Sequence, residues 1–191
     1  LVDATVEHYG RIDIAVFNAG GVANTSMVAD FSDEEWQYEL DFNINHCFWG
    51  TRRALKYMLP QQYGRIINMS SIASHRPGPN ELVYGAAKAG INNLTYGLAR
   101  TLGPNVRVNC IAPGPFLTDI STAWDLDAFA KSAKAAFALG RGGEPHEIVG
   151  TALYRAIESL TDQTPIRRLL AREMGQAMAR AMPACYTAIL R

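Results

Sequence analysis

Apolar residues recur along this chain in two rhythms. Residues 1–9 carry Leu1, Val2, Val6 and Tyr9 at helical spacing and are closed by Gly10, which predicts a short amphipathic helix. A short apolar run from Ile12 to Phe17 follows, of strand length, and leads into Asn18-Ala19-Gly20-Gly21. Ser32-Asp33-Glu34-Glu35 reads as a capping box that opens a long helical stretch to about Leu59, where Pro60 stops it. Arg65 to Ser70 reads as a strand buried on both faces, and residues 71–82 as loop. Tyr84 to Leu102 has helical spacing and ends before Gly103-Pro104. Val106 to Ile111 is a third strand, cut off by Pro113-Gly114-Pro115. Residues 125–139 and 144–159 read as helices, the second entered through Gly142-Gly143-Glu144-Pro145.

Strands alternating with long helices predict repeated βαβ units, an α/β fold with a parallel sheet and helices on both faces. In such sheets ligands bind outside the carboxyl ends of the strands. Each predicted strand runs straight into a chemically loaded loop, Asn18-Ala19-Gly20, Ser70-Ser71 or Pro113-Gly114-Pro115, and the three loops are expected to share one rim.

Composition narrows the function classes. With 191 residues, 48% of them hydrophobic, one domain with a substantial core is the default. Charge balances at 18 basic and 18 acidic residues, so no basic stripe suggests nucleic acid. Cys47, Cys110 and Cys185 have no metal-ligand spacing and read as reduced thiols of a cytoplasmic protein. His8, His46, His75 and His146 form no close pair, so no metal site is expected. No apolar run approaches the ~18 residues of a membrane span, and Asp3 and Glu7 argue against a signal peptide. The chain starts with Leu1 inside a helical pattern, which reads as truncation.

Tyr84 and Lys88 stand at i and i+4 near the start of a helix, a spacing that puts both on one face. A phenol with a reference pKa of about 10 exchanges protons poorly at neutral pH, and a nearby ammonium moves it toward a useful range. In a chain with eight tyrosines such a pair arises readily by chance. Its setting strengthens it. Ser71, in the loop after a strand and 13 residues earlier, can return to the same pocket and hold a carbonyl oxygen. The competing reading of Ser71 is a loop hydroxyl capping its own backbone.

Taken together, Asn18-Ala19-Gly20 after a strand, Trp36 seven residues before Asn43, Ser71, Tyr84-x-x-x-Lys88 and Asn109-x-x-x-Pro113-Gly114 resemble the short-chain dehydrogenase/reductase family, in its order and near its spacing. The resemblance runs to about residue 154 and is to the compact single-domain branch. It implies a Rossmann-like doubly wound sheet and an oxidoreductase moving a hydride between NAD or NADP and a small-molecule carbonyl or secondary alcohol. Tyr84 would be the proton donor or base, and Lys88 would lower the phenol pKa and hold the nicotinamide ribose. Ser71 would orient the substrate oxygen. Asn43 would bend its helix and hold a water that links Lys88 to solvent, and Ser70 is read as structural. Asn18, Ala19 and Gly20 would lie along the adenosine ribose. Pro113, Gly114, the Phe116 backbone and Thr118 would surround the nicotinamide. Residues 115–140 match the family's variable flap over the substrate, and Phe116, Trp124, Phe129 and Phe137 there suggest an apolar or ring-containing substrate. A homodimer or homotetramer is implied, through helices carrying Phe48, Trp49, Leu94 and Leu98.

The chain departs from the family at both ends. Nothing before Ile12 resembles the opening strand and glycine-rich turn that hold the pyrophosphate, a portion of roughly 70–80 residues. The first βαβ portion is therefore expected to be missing, and with it the choice between NAD and NADP. The alternative reading is thus a non-catalytic fragment that cannot bind the dinucleotide. A partial catalytic domain is read over 1–154 and a divergent tail over 155–191, disordered or out of frame, with five arginines against Asp162 and Glu173 from residue 161 onward. Phe17 replaces the first Asn of the commoner Asn-Asn-Ala-Gly form, a change at a strand end that puts little in doubt.

Overall fold

The central strand dictates the rest of the sheet. In the computed structural model, which describes residues 1–148, β2 (Gly64–Met69) is buried at all six positions. Its backbone groups and both side-chain faces must therefore be satisfied by protein. It pairs in parallel with β1 (Ile14–Phe17) on one side and β3 (Val106–Ile111) on the other, in the order β1-β2-β3. Phe17 lies opposite Asn68 and Met69 opposite Ile111, so the carboxyl ends of all three strands reach one rim.

Parallel strands need crossovers, and helices supply them. A first helix, α1 (Val2–Tyr9), leads into β1 and ends on Gly10 in the left-handed conformation, φ 76°. Between β1 and β2 run α2 (Asp33–Leu40) and α3 (His46–Met58), and α4 (Leu82–Leu102) joins β2 to β3. Both crossovers step the same way across the sheet, and their right-handed sense sets α3 and α4 on one face. There Ala15, Ile66, Val106 and Val108 of the sheet meet Ala54 and Met58 of α3, with Val2, Val6, Leu55, Leu98 and Leu102 packed around them. This is the winding of one half of a doubly wound sheet, whose other half covers the second face.

Boundaries shift for local reasons. Ile12 falls outside β1 because its carbonyl accepts from the Gln61 side chain at 2.6 Å instead of from a strand. The Ser32 capping box forms as expected, with Glu35 N donating to Ser32 Oγ and the Glu35 carboxylate accepting from Ser32 N. The single helix predicted from there to Leu59 is instead two, separated by a π-helical turn at Asp41–Asn45. Residues 71–82 are not all loop, since Ile72–Ser74 makes a 3₁₀ turn.

The chain forms two compact units that meet in sequence between Ala112 and Pro113. In the second, the Phe116 backbone bridges in parallel to Gly143, and α5 (Leu126–Ala136) starts on an Asp125 cap that accepts from Ala128 N at 2.9 Å. This helix stops three residues before residue 139 because Phe137 is extended and its ring packs on Phe129. The helix predicted at 144–159 is seen at 145–148; its remainder and the 155–191 tail lie outside the described residues. No helix among the described residues is long and apolar enough to cross a membrane.

Ile66 sits fully buried at the centre of this packing. Truncating it leaves a cavity that the sheet cannot collapse around, so Ile66→Ala is expected to cost about 3 kcal/mol. Urea denaturation followed by circular dichroism checks this, and a loss under about 1 kcal/mol would mean the site is far less tightly packed.

Candidate active site

At the strand ends the chain turns polar while remaining buried. Asn18, Ala19 and Gly20 leave β1, and Ser70 and Ser71 leave β2, on the same rim. Phe17 ends β1 with its ring over Gly50 of α3, where a Cβ would come within 2.2 Å of that ring. A glycine on the facing helix thus makes room for the Phe17 ring.

Asn43 is fully buried in the π-helical turn. A π turn adds one residue to the helical repeat and frees local backbone from the i−4 pattern. Here it delivers the Asn43 amide to the segment after β1. Asn43 Oδ1 accepts from Gly21 N at 3.0 Å, and Nδ2 donates to Gly21 O at 2.9 Å and to Glu39 O and Oε1 at 3.1 Å each. Gly20 has φ 131°, a conformation that favours glycine. A Cβ there would meet Asn43 Oδ1 at 2.6 Å and Lys88 Nζ at 3.2 Å.

Lys88 is 3% exposed. Its ammonium donates to Met69 O at 3.0 Å and lies 5.5 Å from the centroid of the Tyr84 ring, one turn earlier on α4. Burial pushes the Lys88 pKa down, opposed by the thiols of Cys47 and Cys110 and by Glu39. Ser70 is buried and donates to Lys88 O at 2.9 Å, which ties the end of β2 to α4. Ser71 caps the 3₁₀ turn, its Oγ accepting from Ala73 N at 3.1 Å. The backbone-capping reading of Ser71 is therefore realised, and the hydroxyl hydrogen is left as its donor.

Gly20, Asn43, Tyr84 and Lys88 are thus brought together, with the ends of β1 and β2 around them. Pro113, Gly114, Phe116 and Thr118 belong to the second unit. There Leu117 N donates to Gly143 O at 2.8 Å and Gly143 N to Pro115 O at 3.0 Å, a pairing in which Phe116's own N–H and C=O take no part. Thr118 N donates to Ser121 Oγ at 2.9 Å. A cavity of about 470 Å³ lies within this unit, lined by Leu117, Thr118, Leu126 and Phe129 among others. Of the four aromatic residues expected in the flap, Trp124, Phe129 and Phe137 pack on one another, with centroids 5.4 and 6.2 Å apart. Part of their surface is therefore spent on local packing.

One buried and one half-buried group escape a reading by motif. Glu39 looks like an outward-facing helix residue yet is 1% exposed; its position four residues before Asn43 was the available signal. His46, three residues after Asn43, has Nε2 3.3 Å from Cys47 Sγ. Burial, and then the charge of Lys88, push its pKa down to about 4.

That depression has a definite sign. A histidine kept neutral in the fold contributes stability that is present above its ordinary pKa and lost as pH falls from 6.5 toward 4. The thermal midpoint should therefore fall more steeply across this window in the parent than in His46→Gln. Parallel slopes in a pH series of thermal melts would refute the half-buried, neutral state.

The family profile described as enoyl-(acyl carrier protein) reductase matches residues 1–161. The 3-oxoacyl-[acyl-carrier-protein] reductase of Thermotoga maritima is 33% identical over 157 residues, 82% of this chain and 63% of that protein. The 3α-hydroxysteroid dehydrogenase of Mediterraneibacter gnavus is 38% identical over 157 residues, 82% of this chain and 62% of that protein. Among solved structures, an NAD⁺-bound xylitol dehydrogenase superposes with a TM-score of 0.73 at 27% identity, covering 81% of this chain and 66% of that one. The chain thus spans under two thirds of the length of these relatives. With a parallel α/β sheet, a Tyr-x-x-x-Lys pair on the helix after its central strand and a profile match over most of its length, the chain belongs to the short-chain dehydrogenase/reductase family.

Proposed function

We propose that the protein carrying this chain is an NAD(P)-dependent oxidoreductase acting on a carbonyl or secondary alcohol of a small molecule. The observation that carries this reading is the buried Lys88 ammonium 5.5 Å from the Tyr84 ring, beside the bare backbone of Gly20. The relatives named as reductases and dehydrogenases, one of them solved with NAD⁺, support the same class.

The residues present fit the ribose side of a dinucleotide. Gly20 brings backbone against Lys88 with no side chain between them, and one of the three ammonium donors goes to Met69 O. Lys88 would hold ribose hydroxyls with its other donors, and Asn18, Ala19 and Gly20 would line the adenosine ribose. Pro113, Gly114, the Phe116 backbone and Thr118 would meet the nicotinamide. When bound, NAD(P) supplies or takes up the hydride at the nicotinamide C4. Tyr84 gives its phenolic proton to the carbonyl oxygen in reduction and takes the hydroxyl proton in oxidation. The Lys88 charge favours the phenolate that this transfer leaves behind. Ser71 donates its hydroxyl hydrogen to the substrate oxygen, and Asn43 keeps the bend through which a water reaches Lys88. The apolar lining of the second unit's cavity, with Leu117, Leu126 and Phe129, suits an apolar or ring-containing substrate. Free thiols at Cys47 and Cys110 fit a reducing compartment such as the cytoplasm.

Tyr84→Phe removes one oxygen and should leave folding intact while lowering kcat by about two orders of magnitude or more. Nicotinamide absorbance on the intact enzyme, with thermal melts as the folding control, measures both. Turnover near that of the parent would sink the assignment.

A homodimer or homotetramer is the second part of this reading. Phe48 and Trp49 on α3 are 47% and 49% exposed, and Phe48 lines a groove of about 350 Å³ together with Leu55, Leu59 and Leu98. Leu94 and Leu98 are half-buried, and Leu98 also packs on the core, so of these four Phe48 and Trp49 are the more exposed. A two-fold interface would cover them. Sedimentation velocity should show a dimer or tetramer at micromolar concentration, shifted toward monomer by Trp49→Glu; a monomeric parent would refute it.

A further inference from the structure

Glu39 carries a carboxylate into the interior, 1% exposed, and the reaction described above does not use it. Burying a carboxylate is costly unless hydrogen bonds replace its water, and here they do. Oε2 accepts from Ala23 N at 3.1 Å, and Oε1 accepts from Asn43 Nδ2 at 3.1 Å. Asn43 in turn holds both backbone groups of Gly21. The segment leaving β1 is thereby fastened twice, at Gly21 by the amide and at Ala23 by the carboxylate. Gly20, one residue earlier, is the one whose missing Cβ lets the backbone lie against Lys88.

The geometry points to Glu39 as a positioning residue: its carboxylate orients the Asn43 amide and clamps the segment from Gly20 to Ala23, fixing the backbone that a dinucleotide ribose meets. The functional half of this inference rests on the oxidoreductase reading, and the clamp itself does not. A leucine at this position would bury more comfortably, but it would leave the Ala23 N–H without its carboxylate acceptor and remove one of the three acceptors that orient the Asn43 amide. The opposite charges of Glu39 and Lys88 also stabilise one another, so the clamp and the ammonium beside it share one electrostatic environment.

Two variants of similar volume separate clamping from space-filling. Glu39→Gln keeps one acceptor oxygen, and Glu39→Leu keeps none. In the intact protein, hydrogen exchange read by mass spectrometry on peptides spanning residues 20–24 should accelerate about tenfold or more in Glu39→Leu and less in Glu39→Gln, as expected for a lost charged hydrogen bond. The cofactor KM should rise in the same order, also about tenfold in Glu39→Leu, with the substrate KM changing less. Unchanged exchange in both variants would overturn the clamp, and so would Glu39→Leu behaving as well as Glu39→Gln. Faster exchange with an unchanged cofactor KM would overturn the role in the site. If the parent shows no nicotinamide-dependent turnover, the exchange data still decide the clamp and only the oxidoreductase reading falls.

Discussion

Holding the Lys88 ammonium almost out of contact with water is the constraint on which the rim of this sheet depends. A buried ammonium loses hydration worth several kcal/mol, and the protein offsets the loss with groups drawn from β2, α4 and α2. The carbonyl of Met69, at the end of β2, accepts from it directly. The Tyr84 ring lies beside it, and the Glu39 carboxylate favours its charge. Even so, desolvation wins and its pKa is pushed down. In the proposed oxidoreductase, an ammonium in that state would give up a proton more readily than one on the surface.

The same constraint explains the broken helix after residue 40. A regular helix from Asp33 to Met58 would rotate its side chains by a fixed angle per residue, and the extra residue of the π turn changes that phase. Residues before the turn and after it can then each keep a buried face. Cys47, Thr51, Ala54 and Met58 of α3 remain buried in steps of three and four, while Glu39 and Asn43 reach the segment after β1. Asn43 occupies the bend, and its amide donates to the backbone carbonyl of Glu39. A weak helix former sits where a regular helix is not wanted.

The candidate site was legible where chemistry requires fixed spacing within one element. Tyr84 and Lys88 share a helix, so i and i+4 placed them on one face and the structure keeps them there. Asn43 was legible only through the family resemblance, since on its own it is merely a poor helix former inside a helical stretch. His46 had no partner at a telling spacing, and Glu39 was not legible because a charged residue on an amphipathic helix reads as solvent-facing. Only the packing of α2 against the segment after β1 reveals that this one is buried. Ser71 shows a different limit: its hydroxyl caps a turn and still keeps a hydrogen to donate, two uses that sequence presents as alternatives.

The sequence by itself determined the three strands, the helices between them and the parallel order. Hydrophobic period and capping residues are local, and the handedness of crossovers leaves few topologies. It also determined the Tyr-Lys pair, whose geometry is set by one helical turn. Tertiary structure alone decided which polar groups are dry. Burial and the resulting pKa shifts of Lys88, Glu39 and His46 arise from residues distant in the chain, through contacts that periodicity does not encode. The division of the described chain after Ala112 and the phase change at Asp41–Asn45 were decided at that level too, since each depends on what packs against the segment more than on what the segment prefers.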